Sequence, residues 1–344
     1  MTENDTVEFR HTQDNRIAMG CMLGLICIVT IIGNCLVLLA ICTCRHLRSI
    51  SNLYIGNLAL VDFIIGVCTM PITVWTLSLN SWQLGQAGCL VTATIDNLAI
   101  ACSLWTLAAS AVDRCFAILR PFKYNRLMNK NIARSMLGAV WLLSLCLALC
   151  PVIGWDSYVY SWFSFSCGIN PAAKGHDRYF FLFYTLVALI IPLVVVVACY
   201  IPIYIVSRRA NKIHASQTQP GHSKRQMQAA FLVIIIVSVF TLTTLPIMTV
   251  GMLSWLKVID SIPLLAAIVF HIMLYSNSAL NPILYGVFNT SFREVYKSML
   301  NCEWGLKRRT LMARRRASSL RDPSFVNTKK KNDRPSDRYD ILKS

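Results

Sequence analysis

The sequence predicts an all-α membrane protein, a bundle of seven transmembrane helices with a short amphipathic eighth. Three observations carry that prediction. Apolar residues fill 55% of the 344 positions and charged residues 14%, with a mean hydropathy of +0.53, a balance too apolar for a soluble enzyme of this length. The apolar residues fall in long runs near the ~20 residues that cross a hydrocarbon core of ~30 Å. The basic residues gather in alternate connecting segments, as the positive-inside rule requires.

The seven runs cover residues 17–43, 51–77, 88–119, 132–155, 178–207, 226–256 and 262–288. An odd number of spans puts the termini on opposite sides. With the amino end outside, the outer segments hold only Arg10, Arg16, Lys174, Arg178 and Lys257 of the 33 basic residues. Residues 1–16 are therefore expected outside and the tail, residues 303–344, in the cytoplasm. The polar, acidic start lacks the features of a signal peptide, so the first span is expected to act as the insertion signal. Asn4-Asp5-Thr6 is a glycosylation sequon on the outer side, whereas Asn289-Thr290-Ser291 falls inside.

Net charge is +17, yet its placement argues against nucleic acid. Fifteen basic residues lie from Arg293 onward, a distribution suited to anionic inner-leaflet lipid and an acidic cytoplasmic partner. Residues 289–302 read as an amphipathic helix on the membrane surface, with Cys302 a candidate palmitoylation site. In the tail, Arg314-Arg315-Arg316-Ala317-Ser318-Ser319 reads as a basic-directed phosphorylation site at Ser318 and Ser319. Residues 322–344 read as a disordered regulatory segment.

Of fourteen cysteines, most sit in the spans as small apolar residues, without zinc-type spacing. Cys89 and Cys167 differ: both face the oxidising side, where a bridge would pin the loop after the fourth span over the bundle. Ionisable groups inside the spans are few and expensive, so each needs a partner or a role. Asp62 lies mid-way along the second span, Asp96 two turns into the third, and Asp113-Arg114 at that helix's inner end, ~27 Å further on at 1.5 Å per residue.

The motif set resembles the rhodopsin-like (class A) G-protein-coupled receptors. It comprises Gly33-Asn34, Asn57-Leu58-Ala59-Leu60-Val61-Asp62, Cys89, Asp113-Arg114-Cys115, Trp141, Pro192, Tyr200, Phe240, Pro246 and Asn281-Pro282-Ile283-Leu284-Tyr285 in family order. The resemblance extends over about residues 17–302. It implies a plasma-membrane receptor, not an enzyme, that acts on a heterotrimeric G protein and meets receptor kinases and arrestin. Asp113, Arg114, Tyr200 and Tyr285 would form the G-protein switch. Pro192, Leu104, Phe240, Thr244, Pro246, Asn281 and Pro282 would transmit the signal. Asp62, Ser103, Asn277 and Asn281 match an allosteric sodium site; no other cofactor is implied.

The ligand side is most like the biogenic-amine receptors. Asp96 stands where they place the carboxylate that pairs with an ammonium group, and Tyr275 where a tyrosine hydrogen-bonds that aspartate. Tyr275 also occupies the position of the opsin lysine, which excludes a retinal Schiff base. Asn97, Tyr184, Thr185, Ile247, Met248 and His271 complete the expected pocket. Tyr184, Thr185 and Ala188 replace the serines of catechol receptors, and Ile247 and Met248 replace two stacking aromatics. Trp162, Phe163, Phe165, Phe181 and His271 are the residues available to compensate. A non-amine small molecule, a lipid or a peptide, or signalling without ligand, are the other readings left open. A seven-helix channel or transporter is a remote one, since no internal repeat accompanies the charges.

Two departures bear on signalling. Thr244 stands where the family usually has a ligand-sensing tryptophan. Lys224-Arg225-Gln226 offers no acidic partner to hold Arg114, which predicts appreciable basal activity.

Overall fold

The computed structural model describes residues 13–155, 158–161, 165–171, 173–213, 221–259 and 264–300. Asn4, Trp162, Phe163, Cys302, Ser318 and Ser319 lie outside the described residues, as do the side chains of Lys224, Arg225 and Gln226. The helices are α1 (Gln13–Thr43), α2 (Ile50–Cys68), α3 (Met70–Leu79), α4 (Gly85–Leu119), α5 (Pro121–Leu127) and α6 (Lys130–Leu149). A hairpin of β1 (Tyr158–Ser161) and β2 (Ser166–Ile169) follows. Then come α7 (Asp177–Tyr184), a π-helical segment (Thr185–Ile190), α8 (Ile191–Ile213), α9 (Gly221–Trp255), α10 (Leu264–Phe288) and α11 (Thr290–Leu300). The chain divides into two units, residues 1–293 and 294–344. The described part of the second is the end of α11.

Among the described residues, six helical stretches are long and apolar enough to cross a membrane: 16–43, 50–79, 85–119, 130–149, 177–206 and 230–255. The seventh expected span is α10, 25 residues long. It carries the buried polar series His271, Asn277, Ser278 and Asn281. The fourth span ends at Leu149, not near residue 155 as the apolar run suggested. Pro151 lacks the amide needed to continue the helix, and Gly154 takes a positive φ of 105° in the turn that follows.

The bundle is built around α4, which packs against α2, α6, α8 and α9, while α10 packs against α9 and α1. Its buried face is made of small side chains, including Ala93, Ala101, Cys102, Ala108 and Ala111. Small residues let helix backbones approach closely where no hydrophobic force acts between helices in lipid. Gly33 on α1 shows the same device, since a Cβ there would stand 2.9 Å from the Pro282 ring on α10. Leu25, Leu142, Val194 and Leu242 face outward, as lipid as solvent permits.

Proline shapes two spans at places that matter below. Pro71 opens α3 and leaves a break at Thr69 in the second span. In the fifth span the π-helical segment runs up to Pro192. The Ile191 amide donates to Leu186, and Pro192 has no amide to offer Val187. The freed Val187 carbonyl accepts instead from the Trp105 indole at 3.1 Å, so a buried acceptor that would cost free energy is satisfied across helices.

Candidate functional site

A cavity of about 520 Å³ opens under the β-hairpin and descends between α4, the α7–π segment, α9 and α10. It is lined by all eight residues singled out as ligand contacts: Asp96 and Asn97 on α4, Tyr184 and Thr185 on the fifth span, Ile247 and Met248 on α9, His271 and Tyr275 on α10. The described lining contains two carboxylates, Asp96 and Asp62, and neither lysine nor arginine. Field lines from two carboxylates in a low-dielectric, water-poor cleft favour a cation.

The hydrogen bonds around Asp96 differ from the expected pair. At the break in the second span, the Thr69 hydroxyl lies between the Ile65 carbonyl, at 3.2 Å, and the Asp96 carboxylate. Thr73 donates to the Thr69 carbonyl at 3.2 Å. Its oxygen is then the acceptor for the Tyr275 hydroxyl at 3.1 Å. Tyr275 thus hydrogen-bonds to Thr73 and Ser166, and the side chain that meets the Asp96 carboxylate is Thr69. Neither threonine was identified from sequence, although Pro71, beside them, marked the bend that presents both.

The polar reach of the other walls is also constrained. Asn97 donates to Ala93 O at 2.8 Å, and Tyr184 donates to Asn97 O at 2.6 Å, which ties the fifth span to α4. The Thr185 hydroxyl is buried without a hydrogen-bond partner and lines the cavity. Of the aromatics expected to compensate for the incomplete box, Phe181 and His271 line the cavity. Phe165, with a φ of 50°, is buried in a cluster with Ala99, Met70 and Tyr275. The hairpin supplies Tyr160, unforeseen from sequence. Burial pushes its phenol up to about 12, so at neutral pH it adds no negative charge.

Cys89 and Cys167 are joined in a disulfide. The bridge fastens β2 to the start of α4, and Tyr158 on β1 donates to Ala148 O at 2.8 Å, so the hairpin is held at two points. At the same end Arg178 and Trp255 clasp the fifth span to α9. The guanidinium sits 4.5 Å from the indole centroid, and each residue donates to the other's carbonyl, at 2.6 and 2.9 Å.

Deeper in the bundle, Asn281 Nδ2 donates to Asp62 Oδ2 at 2.8 Å, and Ser278 also hydrogen-bonds to Asp62. Asp62, Ser103 and Asn277 line the lower cavity, whereas Asn281 does not. Asn277 Oδ1 and Asn281 Oδ1 are buried without partners. Among the described residues no cationic side chain pairs with Asp62, since the one ion pair is Arg114–Asp113. This hard-oxygen set fits a small hard cation. Nearby, Asn57 donates to Thr106 at 2.8 Å and accepts from the Trp141 indole at 2.8 Å, which locks α2, α4 and α6 together.

At the far end of α4, Arg114 is buried and pairs with its neighbour. Its Nε donates to Asp113 Oδ2 at 3.0 Å, and Nη2 contacts the same oxygen. Tyr124 on α5, missed in the sequence, donates to Asp113 Oδ1 at 2.8 Å and accepts from Arg114 at 3.4 Å. Burial first, then the Asp113 charge, pushes the Tyr124 phenol above its ordinary range, so it stays a donor. Cys115 meets Cys199 of α8 through a side-chain hydrogen bond. Tyr200 donates to Ala230 O on α9 at 3.1 Å, and Tyr285 packs on Phe292 with ring centroids 5.8 Å apart. Tyr200 and Tyr285 thus make contacts of their own rather than joining Arg114. Leu104, Phe240 and Thr244 are buried between the two ends.

Residues 33–285 match the family described as 7 transmembrane receptor (rhodopsin family). The chain is a member of that family. The receptor is 28% identical over 289 residues to the histamine H2 receptor of Canis lupus familiaris, covering 83% of this chain and 80% of the relative. It is 27% identical over 326 residues to the D(1)-like dopamine receptor of Takifugu rubripes, at 83% and 71% coverage. Somatostatin receptor type 2 of Mus musculus is 29% identical over 284 residues, at 80% and 74%. Squid rhodopsin superposes on the receptor with a TM-score of 0.78 over 89% of this chain and 91% of that one, at 24% identity, which shows the shared fold.

Proposed function

We propose that this receptor senses a small cation, of the biogenic-amine kind, and passes the signal to a heterotrimeric G protein at the Arg114 end. One observation carries the ligand class: the cavity that contains Asp96 is lined by carboxylates without a described basic counterpart. A half-buried carboxylate held by one hydroxyl retains lone pairs for an ammonium, and charge-assisted hydrogen bonds are the strong ones. Two of the three relatives above are named for amines, dopamine and histamine, and one for a peptide, somatostatin.

The receptor would sit in the plasma membrane with the hairpin end outside, Asn4 glycosylated and Cys302 palmitoylated. Ligand at Asp96 shifts the balance between two packings of the proline-bent fifth, sixth and seventh spans. In the active packing Arg114 leaves Asp113 and Tyr124 for Tyr200, Tyr285 and the G protein. Asp62, Ser103, Asn277 and Asn281 would hold sodium, whose charge would offset the buried carboxylate. Ser318 and Ser319, once phosphorylated, would recruit arrestin.

A panel of biogenic amines on wild type and Asp96→Ala, read by second messenger, tests the ligand class. An active amine is expected to lose about a hundredfold or more in potency on the substitution. A wild type silent to every amine, or a response that Asp96→Ala leaves unchanged, refutes the reading.

A further inference from the structure

The cavity is deeper than one ammonium group requires. On α4 its lining runs from Asp96 to Ser103 and on α10 from His271 to Ser278, while on α9 it continues from Phe240 past Ile247 to Ser254. The α4 and α10 intervals are seven residues each, so two helices independently give a shaft about 10 Å long at 1.5 Å per residue. One carboxylate lies at each end, Asp96 toward the hairpin and Asp62 beside Ser103 and Asn277. Thr244, between Phe240 and Ile247, is buried and outside the lining, so it does not divide the shaft. At the lower end Asn277, 7% exposed, lines the shaft, and its buried Oδ1 has no hydrogen-bond partner. A buried acceptor left unpaired costs free energy that a donor from a ligand would recover.

We propose that this shaft binds an elongated dication, a diamine or polyamine whose end ammonium groups sit about 10 Å apart, one on Asp96 and one on Asp62. The inference rests on the amine reading above and goes beyond it in assigning the second carboxylate to the ligand, whose lower ammonium takes the place of the sodium ion proposed there. The lower ammonium donates to Asp62, with Asn277 and Ser103 on the shaft wall beside it. The methylene chain lies against Ile100, Ile247 and Leu274, apolar lining between the ends. A monoamine of equal length reaches Asp96 but leaves the lower oxygens unsatisfied. A short diamine satisfies one end only.

The test is the melting temperature of the purified full-length receptor, titrated with heptylamine, diaminobutane, diaminoheptane and diaminodecane, since binding to the folded state alone raises apparent stability. Diaminoheptane is expected to act at concentrations about tenfold or more below heptylamine, with diaminobutane and diaminodecane weaker. Asp62→Asn and Ser103→Leu, the second adding bulk to the lower shaft, are expected to cut that advantage to less than about threefold while heptylamine still shifts both. A diaminoheptane advantage that is absent in wild type, or that survives both substitutions, overturns the proposal. Heptylamine binding that depends on Asp96 with no gain from a second ammonium overturns this inference alone. Silence to all four compounds overturns it together with the amine reading.

Discussion

The two ends of α4 handle charge in opposite ways. At the hairpin end Asp96 faces a cavity that Asp62 of α2 lines lower down, and both have only hydroxyl and amide partners. At the other end Asp113 and Arg114 neutralise each other, and Tyr124 completes the set. One helix thus carries an open carboxylate where a ligand can arrive and a closed ion pair where a partner must displace it. A buried pair is weak evidence for net stability but is costly to break from one side, which suits a switch. The lesson is that burial alone does not mark function; the number of partners left unmade does.

The sharpest way to break the comparison is Arg114→Ala. Signalling is expected to fall to the untransfected background, while ligand shifts in melting temperature persist; a channel current or transport would survive this change. Retained second-messenger output would remove Arg114 from the switch. Next in size is Cys167→Ser, which frees the hairpin over the cavity. Loss of a bridge closing a loop of this length is expected to cost about 2–5 kcal/mol, read as a lower melting temperature and weaker ligand binding. The smallest effect is Tyr124→Phe, which removes one donor to Asp113, worth about 1 kcal/mol. Ligand-free second-messenger output is expected to rise about fivefold, with cavity binding unchanged. Output at vector level in both wild type and Tyr124→Phe would show that this hydrogen bond does not restrain the switch and that basal activity is absent.

Sequence by itself determined much of this protein. Long apolar runs dictate spanning helices because lipid offers no partner for a bare backbone amide. Rare charged residues inside them single out Asp62, Asp96, Asp113 and Arg114, because each would be costly without a role. Those residues were legible from residue type and order along the chain, and the eight that line the cavity from the family resemblance. The partners were not. Thr69, Thr73, Tyr124 and Ser278 are ordinary residues whose value depends on which oxygen a neighbouring helix presents, and that is fixed by bends at Pro71 and the π-helical turn before Pro192. Tyr275 is the clearest case: its position in the family pattern predicted a bond to Asp96, yet it hydrogen-bonds to Thr73 and Ser166. Helix register and tilt place polar atoms to within an ångström, and hydrogen bonds are decided at that scale, so only the tertiary structure chose which acceptor each donor met.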